Sequence, residues 1–199
     1  ARAIETLSCR NATIQADVCN QGGVPRLLAL LSDRNVEARI QAAAALAELA
    51  HGANGSGHRK TQDAISKAGG IAPLLAMVEC NPVVLRAIAE SVRCLAEVAR
   101  RNRANQDLIA SMSGMKTLVN LLSCDQSGAE ARTSSSNVQA NAAFGLAEIC
   151  RGNKENQSTV AELGGIGQLV NLVKSSSNMD VLAELAGALW TVSFDHGST

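Results

Sequence analysis

The chain has 199 residues, with 18 Lys plus Arg set against 18 Asp plus Glu and a formal net charge of zero. That balance excludes a general electrostatic drive toward nucleic acid or an acidic membrane, while leaving local patches open. Apolar residues make up 46% of the chain but aromatic ones only 2%, with no tyrosine, so alanine and leucine must fill the core. This suits closely packed helices and argues against an aromatic-rich β-sandwich or a base-stacking surface.

No run approaches the roughly 20 apolar residues needed to span a bilayer, and no signal peptide opens the chain. Six cysteines (Cys9, Cys19, Cys80, Cys94, Cys124 and Cys150) are scattered without a C-x-x-C pair. They read as reduced thiols in an intracellular protein, cytoplasmic or nuclear.

Taken in chain order, Ala1–Cys9 carries an apolar signature, A-I-E-T-L-S at Ala3–Ser8. A second signature follows: Gln15, the aliphatic Val18, then Gly23. It returns as Gln62, Ile65, Gly70; as Gln106, Ile109, Gly114; and as Gln157, Val160, Gly165. The apolar signature alternates with it, at Ala45–Ala50, Cys94–Ala99, Gly145–Cys150 and Ala188–Ser193. Self-similarity of this period marks a solenoid, in which each unit buries its apolar face against its neighbours. Function is then expected on an extended surface, not in one pocket.

The landmarks Ile4, Leu46, Leu95, Leu146 and Leu189 are separated by 42, 49, 51 and 43 residues. The base unit is 42 residues, and the extras fall in two stretches of loop composition, 51–58 and 123–137. The units are 11–50, 59–99, 103–150 and 154–196, after the end of a preceding one at 1–10. Each should hold three helices. The first is short and leaves the helix at its glycine in a left-handed conformation. The second carries paired aliphatics, such as Leu74, Leu75, Met77 and Val78, with Pro25 and Pro73 in the first turn. The third is longest, over Val36–Ala50, Val83–Ala99, Asn137–Cys150 and Asp180–Ser193.

Three helices in 42 residues, with a glycine turn before a P-x-L-L-x-L-L-like helix, resemble the armadillo repeat. The resemblance recurs four times in register over almost the whole chain. HEAT repeats have two helices and no recurrent glycine of this kind. The resemblance implies an all-α, right-handed superhelical solenoid whose third helices stand side by side and line a concave groove for extended peptides. The chain begins inside one third helix and stops after another, so it is expected to belong to a longer array. Open array ends leave self-association as an alternative.

In well-known armadillo proteins an asparagine in A-L-x-N-L grips the peptide backbone, because an amide both donates and accepts. The matching positions here are Thr6, Glu48, Glu97, Glu148 and Thr191. Nuclear-import adaptors place tryptophan four residues earlier, where this chain has Ala44, Arg93, Phe144 and Gly187. Both departures argue against a nuclear-localisation-signal receptor of the usual kind. A substitute code is open to it. Packed helices lie about 8–10 Å apart and an extended chain rises about 3.3 Å per residue, so Glu48, Glu97 and Glu148 would meet a partner roughly every third residue. Gln41, Glu90, Asn141 and Glu184 would form a second polar row.

The expectation is a non-enzymatic adaptor holding an extended protein segment that carries Lys or Arg opposite those glutamates. Its groove would comprise Gln41, Glu48, Glu90, Arg93, Glu97, Asn141, Phe144, Glu148, Glu184 and Thr191. A plainer reading stays open, in which the acids pair along their own helices: Glu97 with Arg93, Arg100 and Arg101, Glu148 with Arg151, Glu48 with His51. Phe144 is either core or a partly exposed anchor. Trp190, where other units have alanine, reads as packing against a further repeat or a second chain.

No nucleophile elbow, phosphate loop or zinc-ligand spacing occurs, so no catalytic residue, metal or cofactor is expected. His51 and His58 flank a Gly-rich insertion without a third ligand and read as parts of a polar loop. The basic run Arg93, Arg100, Arg101 and Arg103 is interleaved with Glu90 and Glu97 and lacks aromatics, which argues against nucleic acid. The Ser-rich stretch 123–137 has no large apolar residue and is expected to be a mobile loop between second and third helices. Phosphate on Thr133–Ser136 would then precede a helix at Val138, where the N-terminal dipole favours anions.

Overall fold

The computed structural model describes residues 11–52, 57–79, 84–124 and 129–193. Among them are twelve α-helices and no strand, in four triplets. The first is α1 (Ala12–Asn20), α2 (Gly23–Leu30) and α3 (Val36–His51); the second is α4 (Arg59–Lys67), α5 (Ile71–Glu79) and α6 (Leu85–Ala99). The third is α7 (Arg103–Ser111), α8 (Gly114–Leu122) and α9 (Ala129–Cys150); the fourth is α10 (Lys154–Glu162), α11 (Gly165–Ser175) and α12 (Met179–Ser193). The expected helix over 1–10 lies outside the described residues. The third helices form a spine in which α3 packs on α6, α6 on α9 and α9 on α12. Alanine lets them approach closely, and Ala43, Ala47, Ala96 and Ala143 are shut off from solvent. Leu46, Leu95, Leu118 and Leu146 fill the core beneath. Cys94 and Cys150 lie in the same layer, where burial pushes both thiols up to about 12 and leaves them inert small hydrophobes.

The fixed distance from aliphatic to glycine is a steric fit. The left-handed residue is one position earlier than the sequence suggests: Gly22, Gly69 and Gly164 have φ of 74°, 75° and 75°, and Ser113 takes the same turn at 62°. The motif glycine begins or adjoins the second helix, and there a side chain has no room. A Cβ on Gly70 would stand 2.8 Å from the Ile65 side chain and 2.9 Å from its carbonyl oxygen. Gly23, Gly114 and Gly165 meet Val18, Ile109 and Val160 in the same way. The aliphatic residue is therefore the wall against which the second helix starts.

Two expectations about the insertions are corrected. Helix α9 starts at Ala129, so 129–137 is helical and is no loop; residues 125–128 lie outside the description. Ala129, Glu130, Ala131 and Arg132 are strong helix formers, and extending an existing helix needs no new nucleus. Ser135 and Ser136 thus stand inside a helix and not before one, and Ser135 is buried. The proposed phosphate site at a helix N-terminus at Val138 is withdrawn with the loop. In the other insertion His51 is the last residue of α3, while Gly52, Gly57 and His58 are non-helical and 53–56 lie outside the description.

The repeated glutamine closes the end of its triplet's third helix. Helix ends leave backbone carbonyls unpaired, and here those ends are buried under the first helices. Gln62 Nε2 donates to the carbonyls of Glu97 (2.8 Å) and Arg100 (3.1 Å), and Gln106 Nε2 to those of Glu148 (2.8 Å) and Arg151 (3.3 Å). Gln15 reaches Glu48, and Gln157 reaches Thr191. The next triplet adds a second amide. Asn105 Nδ2 donates to Val98 O (2.9 Å) and Asn156 Nδ2 to Ile149 O (3.0 Å). Asn102 and Asn153 cap α7 and α10 through their oxygens and donate through Nδ2 to Gln62 and Gln106 of the triplet before. Replacing Gln106 by Leu strands a buried carbonyl and a part-buried one, while the Asn153 amide keeps its bond to Asp107, and should cost about 1–3 kcal/mol of unfolding free energy in urea melts. A cost below about 0.5 kcal/mol, typical of a neutral surface change, would show that the ladder carries no stability.

Candidate functional site

The positions singled out by the sequence recur at the same spacing on each spine helix. They are Gln41, Ala44 and Glu48 on α3; Glu90, Arg93 and Glu97 on α6; Asn141, Phe144 and Glu148 on α9; and Glu184, Gly187 and Thr191 on α12. Steps of three and four residues keep each set on one helix face, and spine packing sets the four faces side by side. The result is one stripe crossing all four triplets.

The glutamates of this stripe are already engaged by the chain itself. Arg93 Nη1 lies 2.7 Å from Glu48 Oε1, a bond between neighbouring triplets, and its Nε donates to Glu90 at 3.0 Å. Burial works to lower the Arg93 pKa, but Glu90 and Glu48 outweigh it and raise it. Glu97 is 5% exposed and is held by Arg100 through two bonds of 2.8 and 3.1 Å. Its other neighbour is His51, whose Nδ1 is 3.1 Å away; the expected His51–Glu48 pair is replaced by this contact across the junction. Glu148 is 3% exposed and is held by Arg151 at 2.9 Å. The Arg100 guanidinium also covers the Phe144 ring, 5.1 Å from its centroid, and the ring is partly exposed. Such a cation–π contact is worth about 0.5–1 kcal/mol near a surface.

The second row is more open. Glu90 and Asn141 flank a cleft of about 440 Å³ between α6 and α9, with Arg86 and Asn137 at its rim. Asn141 Nδ2 donates to Ala89 O at 3.0 Å, tying α9 to α6. Gln41 donates to Glu37, which in turn pairs with Arg86 at 3.2 Å. Glu184 is exposed on α12; partial burial of its carboxyl raises its pKa, with Arg100 opposing and Glu148 adding to the rise. Thr191 is buried and donates to Gly187 O, so it takes a structural part in α12. The Glu97–Arg100 and Glu148–Arg151 pairs have a signal in the sequence, a spacing of three. The Glu48–Arg93, Glu37–Arg86 and His51–Glu97 contacts join residues more than forty apart and have none.

Among the described residues no group of three His, Cys, Asp or Glu side chains could hold a metal ion, and no helix is long and apolar enough to cross a membrane. The armadillo/β-catenin-like repeat model matches residues 11–51 and 153–194. No curated protein sequence matches the chain. Among solved structures, the chain is similar to an engineered protein at 27% identity and a TM-score of 0.80, over 96% of this chain and 42% of that one. The chain thus spans less than half of that protein. It is also similar to a computationally designed armadillo repeat protein for modular peptide recognition, at 22% identity and a TM-score of 0.78, covering 96% and 73% of the two chains. A third is a designed armadillo repeat protein in complex with the peptide (KR)4, at 20% identity and a TM-score of 0.61, covering 96% and 90%. Residues 11–51 and 153–194 thus match armadillo repeats, and the fold of the chain is that of the all-α armadillo solenoids.

Removing one partner of a buried pair exposes what it was doing. Arg100→Met leaves the Glu97 carboxylate with His51 alone and should cost about 1–3 kcal/mol in chemical denaturation. Arg103→Met breaks an exposed pair with Asp107 and should cost less than about 0.5 kcal/mol. Equal costs for the two variants would contradict this assignment of the buried pair.

Proposed function

We propose that the chain is a non-enzymatic binding scaffold that holds an extended segment of another protein along its spine face. The four units at 11–50, 59–99, 103–150 and 154–196 each contribute one third helix to that face. One observation carries the reading: polar side chains recur in register on four helices packed side by side, a ladder with the period of the repeat. The designed armadillo proteins described above, one made for peptide recognition and one bound to (KR)4, support it through the shared fold.

We further propose that the partner carries spaced Lys or Arg. The stripe holds five carboxylates (Glu48, Glu90, Glu97, Glu148 and Glu184) against the guanidiniums of Arg93, Arg100 and Arg151. Glu184 is the open entry point, and Glu90, which shares Arg93 with Glu48, borders the cleft beside Asn141. A basic side chain reaching Glu48, Glu97 or Glu148 shares that carboxylate with the arginine already there. Gln41, Asn141 and Phe144 complete the contact surface, while Thr191 supports it from below. The same excess of carboxylate, with Phe144 as the ladder's aromatic, weighs against nucleic acid, and the import-cargo reading lacks its Asn and Trp ladder. Reduced, buried Cys94 and Cys150 support an intracellular setting, in cytoplasm or nucleus.

On a peptide array, basic segments should be enriched over acidic ones, and their binding should weaken as salt rises. Glu90→Gln with Glu184→Gln should lower affinity at least threefold without loss of helicity. Enrichment of acidic segments, or affinity unchanged by the double variant, rejects the basic-partner proposal.

A second reading is association of array ends. Trp190 is 55% exposed on α12, whereas its counterparts Ala47, Ala96 and Ala147 are covered by the next spine helix. Sedimentation at rising concentration should then show a larger species that Trp190→Ala weakens. A monomer throughout removes this reading and leaves the groove proposal untouched.

A further inference from the structure

Away from the spine face, α2, α3, α5 and α6 enclose a cleft of about 200 Å³ at the junction of the first two triplets. Its walls are mostly apolar, built by Leu31, Pro73, Ala76, Met77 and Ala87, and Arg39 of α3 enters it. Arg39 lies nine residues before Glu48, which places it on the opposite side of α3 from the groove stripe. The Arg39 Nε is closed off from solvent and has no hydrogen-bond partner.

This sets Arg39 apart. Among the described residues, four arginines are partly buried: Arg39, Arg93, Arg100 and Arg151. Three of them hold carboxylates at 2.7–2.9 Å. Arg39 holds none. The nearest acids in sequence are committed elsewhere, Glu37 to Gln41 and Arg86, and Asp33 to the Asn35 backbone N–H. Nor does Arg39 cap a helix. At the same register of α9, Gln139 donates to Leu122 O and Cys124 O at the end of α8; Arg39 leaves the matching end of α2 alone.

The terminal nitrogens of Arg39 are not closed off in this way, and a planar carboxylate can accept from both of them in a charge-assisted contact. Apolar walls around that fork suit the methylene stem of a glutamate and exclude competing water. The space is too small for an aromatic ring with its backbone, and its charge rejects Lys or Arg.

We infer that the Arg39 cleft is a second docking point, which receives the glutamate side chain of a partner protein on the side of the solenoid away from the groove. Charge complementarity selects the occupant, since Arg39 is the partly buried cation left without a counter-charge among the described residues. The site works independently of the groove and needs no basic partner segment.

The test is an NMR titration of the intact chain that follows the arginine Nε–H resonances. The probes are an acetylated and amidated alanine-rich octapeptide with one central Glu, its Gln counterpart, and an all-alanine octapeptide with a free carboxyl end. The Arg39 signal, assigned by its loss in Arg39→Met, should shift saturably with the Glu peptide and at least fivefold more than the exposed Arg26 and Arg34 signals. The Gln peptide should leave it in place. Arg39 shifting no more than Arg26, or responding equally to Gln, overturns the proposal. A response to the free carboxyl end and not to Glu also overturns it, assigning the cleft to chain termini. Arg39→Lys, which removes the Nε–H signal but keeps the charge, makes the same assignment should Arg39→Met fold poorly. Groove variants Glu90→Gln and Glu184→Gln should not alter the Arg39 shift.

Discussion

Buried helix ends are the constraint on which this solenoid depends. The spine helices α6 and α9 stop under the first helices of two triplets, where carbonyls of their last turns are buried. An unpaired buried carbonyl is costly, so the stack exists only where donors are built in. Gln62 from the same triplet and Asn105 from the next supply them to α6, and Gln106 and Asn156 do so for α9. Amides suit the task because each also has an oxygen to offer: Gln62 and Gln106 accept from Asn102 and Asn153 while donating onward. The polar chain therefore runs from triplet to triplet and sets their register. Apolar packing of alanine and leucine would tolerate small slips; these bonds do not.

Register has a consequence for the side chains of the same helices. With the spine ends pinned, the polar stripe is pinned as well, and charges from adjacent triplets arrive opposite one another. Glu48 meets Arg93, and His51 meets Glu97. The charged layer thus joins the units in addition to decorating them. For recognition this sets a cost. A ligand at Glu97 or Glu148 competes with a guanidinium already in bidentate contact, so it gains the difference between two ion pairs. Glu90 and Glu184 impose less of that cost, and the cleft beside Asn141 gives a side chain room to enter.

The added turns of α9 show how an insertion can be absorbed. Extra residues placed at the start of a third helix lengthen it and disturb no junction, since the capping amides act at its other end. The lengthened helix forms one wall of the Glu90–Asn141 cleft and, through Ser135 and Ser136, of a larger polar cleft of about 570 Å³ beside α11. Length variation in this chain is thereby converted into surface relief at one edge of the array.

Local rules made much of this legible in the sequence. The period and the three helices per unit follow from spacing, because helix periodicity and backbone sterics act over a few residues. The pairing of Glu148 with Arg151 was readable for the same reason. Composition misled at 129–137, where serine and threonine concealed a run able to extend a helix, and the turn glycine was placed one residue late because both members of the Gly-Gly pair looked alike. The recurrent glutamine was visible from the start, but its purpose was not, since the carbonyls it caps at the end of its own triplet's third helix lie 33 to 45 residues away. Only the stacked helices decided which carbonyls Gln62 and Gln106 would cap, which arginine would take Glu48, and that Arg39 would be left without a carboxylate. Those outcomes depend on the rise and rotation between triplets, which the packing of whole helices sets and no short stretch of sequence contains.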